Sequence, residues 1–292
     1  MKKITEYIAG FLILIPLSFF FLFLYILGIE KASRLISSLF LKVGPKLKRH
    51  QVVLRNLELC FPDMDKKERE LLAIQTWSNL GAMFGEMIFW KFMEMDEIKR
   101  KIVVEDDVGA FQKGAKIIVG AHISNFEIWG QIPRMFEFHT HSLYTPLKNG
   151  LINKLLLMFR ESKFMHFYSN HSHNTLKNYI SALNKDEVIC MLVDQHRPYG
   201  IVTTFFDQPV KTTDLAAKLA LKYDSPLFVG RIIRTGLACY KVKTEKLEIT
   251  ENDNALTITQ RINDIFEMWI KEYPEQYYWI HRRFKLCGYP NA

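Results

Sequence analysis

The longest uncharged stretch of the chain constrains its architecture more than any other feature. Residues 8–29 read IAGFLILIPLSFFFLFLYILGI, 22 residues without a charged side chain. As a helix rising about 1.5 Å per residue this segment spans roughly 33 Å, enough for one membrane crossing. A secretory signal core is shorter, about 7–15 residues, and no small-x-small cleavage pattern follows, so residues 1–30 read as a retained anchor. Pro16 can kink such a helix without preventing its insertion.

Flanking charge gives the anchor a direction. Lys31, Arg34, Lys42, Lys46, Lys48, Arg49 and Arg55 follow it with no acid between residues 31 and 55, whereas only Lys2 and Lys3 precede it. The positive-inside rule then predicts a single-pass protein whose body faces the cytoplasm. Those seven cations carry almost all of the net charge of +8. A body so close to neutral lacks the distributed basic footprint of a nucleic-acid binder, and none is expected as a partner. Ala32, Leu35, Ile36, Leu39, Phe40 and Val43 fall on one helical stripe, so residues 31–49 are expected to form a basic amphipathic helix. It can lie among anionic headgroups, pack on the body, or serve both.

After the anchor there is no repeat, linker or low-complexity run, and 49% of the 292 residues are hydrophobic, so residues 50–292 are read as one domain. Cys60, Cys190, Cys239 and Cys287 are too scattered for a zinc ribbon or a disulfide framework and are expected to be reduced thiols. His139 with His141, and His166 with His171 and His173, lack flanking cysteine or acidic ligands, so no metal is expected. Asp65 and Glu68 after Pro62 predict the start of a helix running toward Trp90. Short apolar runs at 116–120, 141–144, 188–193, 227–233 and 240–242 alternate with helical patterns, which predicts an α/β sheet. Ile258, Ile262, Ile265, Phe266 and Trp269 mark a last helix over 257–272, ended by Pro274.

The chemistry concentrates in KIIVGAHISNFEIWG, residues 116–130, where a strand ends at Gly120 and a turn carries His122 and Glu127. Ligand crevices of open α/β sheets lie at such carboxyl ends. A neutral imidazole can take a proton from a hydroxyl while a carboxylate on its other nitrogen fixes the tautomer, an arrangement suited to alcohol acylation. Against this, Ser124-Asn125-Phe126-Glu127 also reads as a capping box with Glu127 in a purely structural role. Asp194 and Gln195 follow the strand at 188–193 as His122 follows its own, so they either line the same crevice or cap the next turn.

Further blocks are Tyr144-Thr-Pro-Leu-Lys148-Asn149, Phe205-Phe206, and the tail from Tyr273 through Trp279, His281, Arg282 and Arg283 to Lys285. Together with the anchor and His122-x4-Glu127, this ordered set resembles the late acyltransferases of lipid A biosynthesis, the lauroyl/myristoyl transferase family, over nearly the whole chain. The resemblance implies transfer of a fatty acyl group from acyl carrier protein to a hydroxyl of a 3-hydroxyacyl chain on a Kdo-lipid A precursor, at the inner face of the inner membrane. It implies a glycerolipid-acyltransferase-like mixed sheet flanked by helices, with one N-terminal transmembrane helix, His122 as general base oriented by Glu127, and no cofactor beyond the carrier thioester.

Arg160 matches a family arginine and is the candidate for the oxyanion, or else an exposed helix arginine. His281, Arg282, Arg283 and Lys148 suit phosphates or carboxylates of the acceptor, or else form a structural ion-pair cluster. Ser162, Lys163 and Phe164 depart from an Arg/Gly-rich family segment, and Asp207 stands where a Gly is usual. Two other functions stay open: acylation of another glycolipid, and an inactive lipid-binding scaffold.

Overall fold

The run Lys116–Gly120 is buried at every position, the mark of a strand covered on both faces. A computed structural model describes residues 2–170, 172 and 174–289, with side chains from Ile15 onward. The strands are β1 (Ile102–Glu105), β2 (Lys116–Gly120), β3 (Thr140–Tyr144), β4 (Met165–Ser169), β5 (Val188–Leu192), β6 (Ile201–Phe205), β7 (Gln208–Thr212), β8 (Leu227–Gly236) and β9 (Cys239–Lys246). Seven form one mixed sheet in the order β1-β9-β8-β2-β5-β3-β4, and β6 with β7 forms a separate antiparallel hairpin. From β8 to β4 neighbours run parallel, and β9 turns back antiparallel on β8. Ile117 and Val119 enter one apolar core and Ile118 another, so β2 is the wall between two layers of helices.

Those helices are α1 (Lys2–Leu27), α2 (Ile29–Val43), α3 (Arg49–Cys60), α4 (Lys66–Trp90), α5 (Met95–Lys101), α6 (Ile132–Phe136), α7 (Gly150–Arg160), α8 (Thr175–Leu183), α9 (Leu215–Tyr223) and α10 (Ala255–Glu272). Asp65 caps α4 as the sequence predicts, its carboxylate accepting from the amides of Lys67 at 2.7 Å and Glu68 at 2.9 Å. The mixed α/β sheet flanked by helices matches the expected class; β1, β4 and the β6–β7 hairpin were not among the expected strands. In that hairpin turn Phe206 and Asp207 have φ of 50° and 56°. This left-handed pair is the geometry a glycine takes freely and an aspartate tolerates, so the Asp207 departure is local turn chemistry.

The N-terminal expectations need correction. Among the described residues no helix is long and apolar enough to cross a membrane, so a single crossing is unsupported; the side chains of residues 1–14 of the expected anchor lie outside those described. Part of the second half of α1 packs on the body: Leu24 is buried, Phe21 meets Phe159 edge-on at 5.7 Å, and Tyr25 stacks on Phe89 at 5.8 Å. Gly28, at φ 80°, breaks α1 from α2. The helix expected over 31–49 ends at Val43, because Gly44 and Pro45 turn the chain in a 3₁₀ step against Trp77 before α3 begins. Its stripe is divided: Ala32 and Ile36 are buried, whereas Leu35, Leu39 and Val43 are exposed. α2 lies so close to α4 that a Cβ on Gly81 or Gly85 would stand 2.7 Å from the carbonyl oxygen of Ile36 or Ala32.

Candidate active site

β2 and β5 are paired so that Gly120 stands beside Leu192, and the Val193 amide donates to the Gly120 carbonyl at 3.0 Å. One residue past each partner the chain leaves the sheet, and two residues past stand His122 and Asp194. Parallel register therefore places both side chains together at the carboxyl edge, where His122 Nδ1 donates to Asp194 Oδ1 at 2.7 Å. A carboxylate only accepts, so the proton sits on Nδ1 and Nε2 is the free base. Gln195 Nε2 donates to that Nε2 at 3.2 Å. Burial alone would raise the Asp194 carboxyl, but the adjoining His122 ring and, farther off, Arg283 outweigh it and hold it at about 2. Phe126 packs edge-on against the imidazole at 4.7 Å and Tyr278 flanks it at 5.8 Å.

The turn between β2 and the 3₁₀ segment Phe126–Gly130 is held from two sides. Ser124, at φ 56°, donates its amide to the Gln276 carbonyl at 2.6 Å, and the Tyr278 amide donates to the His122 carbonyl at 2.9 Å. Asn125, not Ser124, caps the 3₁₀ segment, its Oδ1 accepting from the Glu127 amide at 3.2 Å. Its Nδ2 donates at 3.0 Å to Glu86, a fully buried carboxylate on α4. Glu86 also accepts from Ser33 at 2.6 Å, from Arg234 Nη1 at 2.6 Å and from the Tyr240 hydroxyl. One carboxylate thus ties α2, α4, β8 and β9 to the turn.

Glu127 differs from both readings of its sequence. It neither closes a capping box nor touches His122; its carboxylate accepts from Arg160 Nε at 2.8 and 3.1 Å and from Nη2. Burial would lower the Arg160 pKa, and the Glu127 charge more than offsets this. Arg160 ends α7, which Asn149 caps at the amides of Leu151 and Ile152. Ser162, one of the departures, accepts from the Phe164 and Met165 amides and so shapes the turn after α7.

His122, Glu127, Arg160 and Gln195 share the wall of one cavity of about 820 Å³. The rest of the lining is largely apolar, with Met83, Phe84 and Met87 from α4 and Leu155, Leu156 and Phe159 from α7. Sequence reasoning missed Tyr278 and Arg197, which also line it. Arg197 follows Gln195 by two positions, the only signal that could have found it.

The basic tail is corrected. Arg283 is buried, donating to the Lys211 carbonyl at 2.9 Å and to Thr212 Oγ1 at 2.6 Å, so it anchors the β7 end and cannot reach an acceptor anion. Burial lowers His281 to about 4 despite the pull of Asp194, and its Nε2 accepts from the His196 amide; at neutral pH it carries no charge for a phosphate. Arg282 lies over the Tyr289 ring at 5.6 Å, away from the cavity lining. Lys148 is exposed on the loop before α7, where its neighbour Leu147 lines the cavity. Among the described residues no cluster of three His, Cys, Asp or Glu could hold a metal; His171 and His173 lie outside them.

The model of the bacterial lipid A biosynthesis acyltransferases matches residues 3–286. The chain is 30% identical over 253 residues to the lipid A biosynthesis lauroyltransferase of Escherichia coli, covering 82% of this chain and 79% of that one. It is 28% identical over 256 residues to the lipid A biosynthesis palmitoleoyltransferase of the same organism, covering 82% and 80%. Among solved structures, the 1-acyl-sn-glycerophosphate (LPA) acyltransferase PlsC from Thermotoga maritima superposes with a TM-score of 0.39 at 12% identity, over 84% of this chain and 98% of that one.

Proposed function

The chain belongs to the bacterial lipid A biosynthesis acyltransferase family, and from that premise we propose that it moves a fatty acyl group from the thioester of acyl carrier protein to a hydroxyl of a 3-hydroxyacyl chain on a Kdo-lipid A precursor. The observation that carries the reading is the His122–Asp194 contact beside an apolar cavity. The substrate hydroxyl displaces Gln195 Nε2 from His122 Nε2, which takes the hydroxyl proton as the oxygen attacks the thioester carbonyl. The tetrahedral oxyanion then collapses and expels the carrier's thiolate, which receives the proton from the imidazolium. Asp194, rather than Glu127, holds the imidazole and stabilises its charged form. Glu127 takes up Nε and Nη2 of Arg160 and fixes the guanidinium on the cavity wall, leaving Nη1 for the oxyanion.

In this reading the protein works at the cytoplasmic face of the inner membrane. Support comes from Phe19, Leu22, Phe23 and Ile26 of α1 and Leu35, Leu39 and Val43 of α2, all exposed, beside exposed Lys42, Lys46, Lys48 and Arg49. The intact dyad favours an enzyme over a lipid-binding scaffold.

The experiment is to incubate detergent-solubilised protein with a series of acyl carrier protein thioesters and a tetra-acylated Kdo-lipid A precursor, reading product mass for the native chain and for His122→Ala. A gain of one acyl chain, absent in the variant, supports the reaction. No gain with any donor from folded native protein would overturn it.

A further inference from the structure

The cavity that holds His122 is not enclosed by the α/β body alone. Leu17 and Phe21 of α1 are on its wall, although the sequence reads that helix as an anchor and nothing else. Leu17, Phe21 and Leu24 fall at i, i+4 and i+7, one stripe of the helix, with Leu24 buried and Leu17 and Phe21 half-buried; Phe19, Leu22, Phe23 and Ile26 on the remaining faces are exposed. The inner stripe is keyed to the site. Phe21 packs edge-on against Phe159 at 5.7 Å, Phe159 meets Phe92 at 6.4 Å, and the residue after Phe159 is the Arg160 that grips Glu127.

We propose that Leu17 and Phe21 are specificity-determining residues, a wall supplied by α1 against which the donor's acyl chain is measured. The proposal rests on the acyl-transfer reading above and goes beyond it by naming what sets chain length. Neither side chain carries a polar atom, so both act on a substrate only through shape. The lining also includes Met83, Phe84 and Met87 of α4 and Leu155 of α7, which are apolar too. An occupant with one reacting end at His122 and nothing but methylenes beyond it fits that lining. Discrimination by such a wall is steep, since one methylene too many in an apolar pocket costs about tenfold or more.

The test uses the full chain and donors from decanoyl to octadecanoyl carrier thioesters, with product mass and kcat/KM read for each. Phe21→Ala opens the wall and is expected to raise longer donors relative to the native optimum by about tenfold. Leu17→Trp fills the space and is expected to shift the optimum shorter. Leu22→Ala, on the exposed face of the same helix, keeps the native profile. If Phe21→Ala and Leu17→Trp both remain active with the native length profile, the proposal is overturned.

Phe21→Leu, which removes only the ring, covers the case in which the alanine variant does not fold. Calorimetric binding of free fatty acids of the same lengths to native and Phe21→Leu protein reads the wall without turnover. Length-dependent binding that shifts in the variant supports the wall even if no donor is transferred, the result that would sink the reaction alone. Binding that ignores the substitution overturns the wall whatever the activity.

Discussion

Replacing Asp194 by Asn tests the dyad at its most informative atom. The carboxyl sits at about 2 against its ordinary 3.8 although it is wholly buried, so His122 and Arg283 together more than offset the cost of desolvation. That difference corresponds to roughly 2–3 kcal/mol in favour of the carboxylate form of Asp194. In the reaction the imidazole gains its charge next to this group, so losing the carboxylate should slow chemistry by about thirtyfold to a hundredfold. The loss will be larger if the amide turns its nitrogen to Nδ1 and imposes the wrong tautomer, as in serine-protease triads, where it reaches about 10⁴. Single-turnover acyl transfer should show the fall in kcat with the donor's KM little changed, and circular dichroism should show native fold. Native turnover from folded Asp194→Asn protein would refute the assignment of Asp194 as the orienting carboxylate. A companion Glu127→Gln variant is expected to weaken the grip on Arg160 while leaving the His122–Asp194 contact in place.

Glu86→Gln leaves the Arg234 guanidinium buried without a counter-charge and should cost about 3–5 kcal/mol in urea unfolding; a change below 1 kcal/mol would show the network to be dispensable. His281 at about 4 in the folded protein binds its proton more weakly than in the unfolded chain, ordinarily 6.5, so stability falls as pH drops from about 6.5 to 4, by at most about 3 kcal/mol. His281→Gln should flatten unfolding midpoints across that window, and an unchanged slope would count against burial as the cause. Neutralising Lys42, Lys46, Lys48 and Arg49 should weaken binding to anionic vesicles by about tenfold or more and spare binding to neutral ones, as read by co-sedimentation; equal binding would remove the electrostatic role of the segment.

The strand KIIVG and the cap at Asp65 were legible because their signals are local: burial on both faces needs an unbroken apolar run, and a cap needs only three residues. The partner of His122 was not legible, although Asp194 stood among the candidates. It depends on β2 lying beside β5 rather than another strand, a contact across 72 positions that no spacing encodes. Arg283 misled for a related reason. In a row of His281, Arg282 and Arg283 the charges look alike, and only the fold turns one guanidinium toward the Lys211 carbonyl and Thr212 while leaving its neighbour over an aromatic ring. The apolar face of α1 was visible as hydrophobicity, but hydrophobicity does not say which side meets lipid and which meets Phe159.

The pairing of Gly120 with Leu192 also sets what the chain can tolerate in length. Each dyad residue stands two positions past a strand end, with Ala121 and Val193 as single-residue spacers, so the inter-strand spacing of about 4.8 Å sets their separation and the contacts of Gln276 and Tyr278 with the turn help to hold it. Adding or deleting one residue in either spacer turns that side chain to the opposite side of the sheet and dismantles the dyad. Changes in the length of the α7 loops or of the β6–β7 hairpin leave the spacing of His122 and Asp194 untouched. The sheet edge thus acts as a fixed ruler for the proton-transfer pair, while the walls of the cavity are free to diverge around it.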